Sequence, residues 1–338
     1  MKRWGIPQLL ATVALGAAVW AIVALACMCV GSTQSIGWPQ FHEVLKIRRE
    51  SVLLASLIGA GLGAAGVTYQ AILRNPLADP YLLGVSSGAS LLSLLWYVGS
   101  LEALTHTSFG AAGQQISSLI GAVASVALIL LISSRRGRLD PVTLILVGVI
   151  VNAVNGSLFL LVFFRHPEIV SRGGQFGFLV GGIQTLLSTQ QKYLATAAVA
   201  VGWMVLAYLS GQLNVAALGE AEAQSLGVHI QRLRWIALVI ASLVTAAVVA
   251  ISGPIGFVGL ISPHVARLIV GHDQRRLLPL ATAFAAALLA LADAVSRYLS
   301  QETLFHTQLP VGVLTGLMGG PFFLFLLWRS RRTGGQIL

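Results

Sequence analysis

The chain has 338 residues, 56% of them hydrophobic and only 9% charged, with a mean hydropathy of +0.85. A soluble domain carries roughly 25% charged residues, so this composition excludes an ordinary soluble enzyme and places the chain in a membrane. The formal net charge of +10 sits in short basic clusters between apolar runs, which fits loops beside membrane spans and not a nucleic-acid-binding face.

Crossing a bilayer takes about 20 mostly apolar residues. In chain order, ten stretches meet that need, at about 8–30, 51–73, 81–99, 116–134, 142–164, 190–210, 234–252, 256–271, 277–298 and 309–328. Lys2-Arg3 before the first run could open a signal peptide. The run outlasts the apolar part of such a peptide and lacks a small-residue cleavage site, so a retained first span is expected. Cys27 and Cys29 lie in that run; a C-x-C pair on one helix points its thiols apart and makes neither a disulfide nor a zinc site. The eighth stretch is the weakest, interrupted by Pro263, His264 and Arg267. With the N-terminus inside, fourteen of the 21 Lys and Arg residues fall on the inner side, Arg74, Arg234 and Arg267 among them. Arg48 and Arg165 count outside. The expected architecture is an all-α polytopic membrane protein, residues 1–338 in one transmembrane domain, with ten spans and both termini cytoplasmic.

Between the second and third runs the pattern breaks at Arg74-Asn-Pro-Leu-Ala-Asp-Pro80. Pro76 and Pro80 lack an amide donor and push the preceding residue out of the helical region, so no continuous helix crosses here. Non-helical backbone at membrane depth is tolerated only where protein buries it or where it lines a water-filled path. The segment is therefore either a tight turn or part of a translocation pathway. Pairs such as Gly59-x-x-x-Gly63, Gly84-x-x-x-Gly88, Gly312-x-x-x-Gly316 and Gly316-x-x-x-Gly320 are read as faces for close helix packing.

Groups for covalent chemistry are scarce. A P-loop needs a lysine after glycine; Lys2, Lys46 and Lys192 are the only lysines, and none follows one. Any ATP must be hydrolysed by a partner. His42-Glu43 begins a zinc-protease motif, but Lys46 occupies the second histidine position. His264 is read as a packing residue. No metal site and no catalytic residue is expected. Asp293, four residues before Arg297, is read as one half of an i,i+4 ion pair, with a proton relay as the sharper alternative.

Arg74-Asn-Pro-Leu-Ala-Asp-Pro80 with Leu83-Gly-Val-Ser-Ser-Gly88 resembles the signature of the FecCD-type permeases, the membrane subunits of ABC importers for vitamin B12, ferric siderophores and haem. Gly253-Pro-Ile-Gly-Phe-Val-Gly-Leu-Ile-Ser-Pro-His-Val-Ala-Arg-Leu268, Leu309-Pro-Val-Gly-Val-Leu-Thr-Gly316 and Gly320-Pro-Phe322 are similar to later motifs of the same family. The resemblance implies a homodimer in the bacterial inner membrane, two ATPase subunits that use ATP and Mg, a periplasmic binding protein, surrounding lipid, and no cofactor bound by this chain. It places a cytoplasmic gate at Asn75, Leu77, Asp140, Pro141 and Val142, although Pro141 stands where relatives often carry small polar residues.

The same resemblance makes 212–232 a cytoplasmic coupling loop of two short helices, carried by Ala217, Leu218, Gly219, Glu220, Ala221, Ser225, Leu226 and Gly227. It assigns binding-protein docking to Lys46, Arg49 and Arg297; Lys46 replaces the more usual arginine and lacks its bidentate fork. Arg165, His166 and Arg172, near the outer end of the fifth span, would meet either substrate carboxylates or lipid headgroups. Haem is the expected cargo, since such residues suit propionates, with ferric siderophore and cobalamin as alternatives. A proton- or sodium-coupled secondary transporter is the alternative of a different class. An intramembrane hydrolase would need a nucleophile–base or metal set that the sequence does not offer.

Overall fold

A computed structural model describes residues 5–31, 37–39, 41–99, 108–135, 138–166, 180–183, 187–300 and 309–332. In chain order the helices are α1 (Ile6–Met28), α2 (His42–Leu73), a 3-10 turn (Pro80–Leu83), α3 (Val85–Gly99), α4 (Ser108–Ser133) and α5 (Pro141–Arg165). They continue with α6 (Thr189–Ala216), α7 (Glu220–Ser225), α8 (Ile230–Ser252), α9 (Val258–Val270), α10 (Gln274–Leu299) and α11 (Val311–Arg332). Each of the ten apolar stretches carries one helix. Among the described residues, seven helical segments are long and apolar enough to cross a membrane; α3, α9 and the apolar part of α11 are shorter.

The proline-rich break shortens the third stretch, because Gly84 takes φ 74° and separates the 3-10 turn from α3. The second stretch gains nine residues at its start, where α2 extends back to His42. One feature outside the all-helical expectation is a two-residue antiparallel ribbon, β1 (Ser134–Arg135) on β2 (Arg138–Leu139), between α4 and α5.

The bundle is built round α2, which packs against α1, α6, α8, α9 and α10. Small residues permit this. A Cβ at Gly59 or Gly63 would collide with the backbone of α10 at Ala285 or Ala281, and one at Gly66 with the backbone of α9 at Gly259. Gly88 on α3 and Gly121 on α4 press on each other in the same way. Van der Waals contact replaces the hydrophobic effect as the force between helices in lipid, so such approach is where stability resides. Gly316 and Gly320 differ, with no described residue within 4 Å of an added Cβ.

Polar pins supplement the packing. The expected Asp293–Arg297 pair forms at 3.0 Å, and Ser51 Oγ donates to Asp293 Oδ2 at 2.7 Å. Arg297 also donates to the Val30 carbonyl at 3.0 Å. Two arginines, Arg48 read as an outer charge and Arg267 read as an interruption of the eighth stretch, prove to be buried. Arg48 donates to the carbonyls of Met28 and Gly37, each at 3.0 Å, and Arg267 donates to Gln70 Oε1 at 2.8 Å. Each neutral partner lies where the backbone or an amide side chain can solvate a guanidinium removed from water. His264 packs edge-to-face on Phe322 of α11, with ring centroids 5.7 Å apart.

Candidate functional site: a gate segment tied to a coupling loop

The break after α2 is stiff. Arg74 adopts the left-handed conformation (φ 47°) that ends α2, and Asn75 Oδ1 accepts from the Leu77 amide at 2.9 Å, a side-chain-stabilised turn. Asp79 is buried and accepts two amides at 2.9 Å, from Tyr81 in its own turn and from Phe257 at the start of α9. Phe257 is itself left-handed at φ 66°. One carboxylate therefore joins both irregular segments of the bundle. Asn75, Pro76 and Leu77 are half-buried, while Ala78, Asp79 and Pro80 are buried.

The second element expected at the gate begins at Asp140, whose Oδ2 accepts from the Thr143 amide at 2.8 Å and from Thr143 Oγ1 at 2.7 Å. This is a helix N-cap, and Pro141 fits the first helical position because its missing amide would have had no partner there. The hydrogen bonds from Thr143 hold the Asp140 carboxyl below the usual carboxylate range. Val142 is exposed. Ala78 of the first element and Leu139 and Leu144 of the second share one buried cluster with Leu213 of α6 and Leu233 of α8. The structure thus brings the two predicted gate elements together.

The predicted coupling loop lies at the same end. Residues 212–216 belong to α6 and 230–232 to α8, so the connector proper is 217–229 and holds one six-residue helix, α7, where two short helices were expected. Gly219 (φ 142°) and Gly227 (φ 79°) let the chain enter and leave it. Ala223 is buried, whereas Leu218 and Leu226 on either side of α7 are 51% and 61% exposed. Glu220 and Ala221 begin α7 and Ser225 ends it, with Ser225 Oγ donating to the Glu222 carbonyl at 2.8 Å. The two exposed leucines thus flank a short polar helix, one on each side.

Two arginines connect loop and gate. Arg74 donates to the carbonyl of Ala216, the residue before the loop, at 2.7 Å. Arg234, largely buried on the first turns of α8, pairs with Glu220 at 2.8 Å and reaches the Leu139 carbonyl at 3.5 Å. Its neighbour Gln231 accepts the Leu139 amide at 3.0 Å. Leu139 immediately precedes the N-cap of α5, so α7 and α5 are held to the same side-chain pair. The sequence offered Arg234 only as one basic residue among the inner charges. Its role depends on tertiary neighbours that spacing does not reveal.

Toward the opposite end of α2, about 40 Å away by helical rise, lie the residues expected to dock a binding protein. Lys46 and Arg49 are exposed. Arg297, on the last turn of α10, is engaged by Asp293 and Val30 as described above. Arg165 is the exposed last residue of α5, and the amide of half-buried His166 donates to the Phe163 carbonyl at 3.2 Å. Arg172 lies outside the described residues.

The structure is a multi-pass helical bundle with a broken, polar segment at one end. The FecCD transport family matches residues 9–329, and the chain belongs to that family. It is 36% identical over 296 residues to the cobalamin import system permease protein of Halobacterium salinarum, covering 86% of this chain and 75% of that one. It is 35% identical over 330 residues to the hemin transport system permease protein of Yersinia pestis, covering 96% and 94%. Among solved structures, a metal-chelate type ABC transporter in an inward-facing conformation superposes with a TM-score of 0.78 at 30% identity, covering 94% of this chain and 98% of that chain.

Proposed function

We propose that this chain is the permease subunit of an ABC importer that moves an iron compound, haem foremost, from periplasm to cytoplasm. It works as a homodimer of ten-span subunits with cytoplasmic termini in a bacterial inner membrane. Two ATPase subunits bind at the coupling-loop end and a periplasmic binding protein at the other. The chain itself makes and breaks no covalent bond; ATP and Mg belong to the partner.

The observation that carries this reading is the bonded route from α7 through Arg234 to Leu139 and the N-cap of α5, with Arg74 joining the loop to the other gate element. A push on exposed Leu218 and Leu226 reaches both gate elements without crossing the bundle. Haem is favoured by the hemin permease relative, which is matched along nearly its whole length, and by Arg165 and His166 together at one end of α5. The cobalamin relative keeps a corrinoid as the second reading. A gradient-driven carrier finds little support: Asp293 is committed to Arg297 and Ser51, and its position serves packing.

The test is uptake into proteoliposomes that hold the chain with its ATPase, with haem-loaded binding protein outside and ATP inside. Uptake that needs ATP and the binding protein and survives collapse of ion gradients supports the reading. Uptake that ignores ATP and stops with the gradient overturns the importer class. ATP hydrolysis stimulated by the binding protein without haem uptake overturns the cargo alone.

A further inference from the structure

The bundle carries a groove whose apolar length the import reading does not use, although Arg49 at its mouth is also one of the residues expected to dock a binding protein. It encloses about 870 Å³ between α1 and α6, floored by α2 and α10, within the roughly 300–1,000 Å³ of pockets that take a small organic ligand. Its walls include Ala17 and Trp20 on α1, Leu53 and Ala60 on α2, Trp203 on α6 and Ala283 on α10. The few polar groups in this stretch are mutually satisfied: Trp20 Nε1 donates to Ser56 Oγ at 2.9 Å and Trp203 Nε1 to Thr282 Oγ1 at 3.0 Å. What remains is a hydrocarbon surface.

One end of the groove is charged. Arg49, Glu50 and Lys192 form its mouth, with Lys192 Nζ on Glu50 Oε2 at 2.9 Å. Exposed Lys46 lies one turn before Arg49 on α2. Three cations against one carboxylate leave a net positive rim. The depth also has a scale. Trp203 lies eleven residues along α6 from Lys192, about 17 Å by helical rise, and half of a hydrocarbon core is about 15 Å. Val13 of α1 and Pro279 of α10 carry the lining further, so the groove is at least one leaflet deep, apolar along its length and positive at one end.

We infer that this groove is a binding site for one glycerophospholipid, its acyl chain lying between α1 and α6 and its phosphate on Arg49 and Lys192. The inference rests on the chain's place in a membrane and is independent of the cargo. A lipid that fills the groove holds α1 and α6 at a fixed spacing on α2, the helix on which the whole bundle packs.

The experiment is native mass spectrometry of the full chain purified in mild detergent, comparing wild type with Ala17→Phe/Ala60→Phe, which fills the groove, and with Leu161→Phe on the exposed face of α5. The expected result is one retained phospholipid per chain in wild type and in Leu161→Phe, reduced about tenfold in the double variant. Arg49→Ala should keep the lipid but weaken any preference for anionic over zwitterionic headgroups. If the double variant does not fold, wild-type protein in nanodiscs containing a photoreactive phospholipid decides the matter. Crosslinks concentrated on α1, α2, α6 and α10 support the site. Crosslinks spread equally over α5 and α11, equal lipid in all variants, or a co-purifying polypeptide in place of lipid would overturn it.

Discussion

Helices α2 and α5 are both long enough to span a bilayer, and α5 is the more hydropathic of the two. Yet 83% of the apolar window of α2 is buried inside the chain against 11% for α5. Lipid tails are as apolar as leucine, so hydropathy reports residence in the membrane and is silent about burial between helices. Size carries that second message. One buried face of α2 is Ala55, Gly59, Gly63 and Gly66, beside larger buried residues such as Ile58, Leu62 and Tyr69, whereas α5 presents Leu146, Val149, Val154, Leu158 and Phe164 to its surroundings. The helix at the centre is the one with a face small enough for neighbouring backbones to approach.

The sharpest way to break this contrast is to place one bulky residue on each helix. Gly66→Leu drives a side chain into the α9 backbone at Gly259. Overpacking costs about 1–3 kcal/mol even where side chains can shift, and here they cannot, so folded monodisperse protein should vanish from size-exclusion profiles. Gly156→Leu on α5, where no atom stands within 4 Å of the added Cβ, should leave the profile unchanged. A collapse of both variants would erase the distinction.

A smaller effect, on function and not on fold, is expected at the link between the two helices' neighbourhoods. Arg234→Ala removes the Glu220 pair and the contact to Leu139. Because Glu220 is 55% exposed at its side chain, the ion pair itself contributes no more than about 1 kcal/mol. Transport per ATP hydrolysed should drop severalfold, and Arg234→Lys should restore only part of it. Unchanged coupling would remove Arg234 from the route. Arg74→Ala, which loses one hydrogen bond to Ala216, should cost about 1 kcal/mol in a denaturant melt and lower coupling less.

The smallest effect is at the cap of α5. The folded-state pKa of Asp140 is depressed, so its contribution to stability is present above the unfolded value near 3.9 and lost as pH falls through the folded value. Asp140→Asn should keep the cap and flatten that acid limb of a melting-temperature profile. Asp140→Ala should lose the cap at every pH. An acid limb unaltered in the asparagine variant would assign it to other carboxylates.

Much of this was legible in the sequence. Apolar runs located the helices, and Pro76, Pro80 and Asp79 located the break, because proline's missing amide acts locally. The Asp293–Arg297 pair was legible because helical spacing brings i and i+4 together. The short ribbon before α5, the burial of Arg48 and Arg267, and the single helix of the loop were not. Each depends on contacts between residues far apart in sequence: Arg267 with Gln70, Leu139 with Gln231, Arg234 with Glu220 across a loop.

The two amides held by Asp79 also bear on how the protein is made. Tyr81 is available as soon as the first break leaves the ribosome, but Phe257 is synthesised 178 residues after Asp79. Through most of translation, the growing chain sits in the bilayer with one oxygen of that carboxylate unmatched, and the later half of the protein supplies the amide that completes it. A truncated product ending before Phe257 keeps the open oxygen permanently.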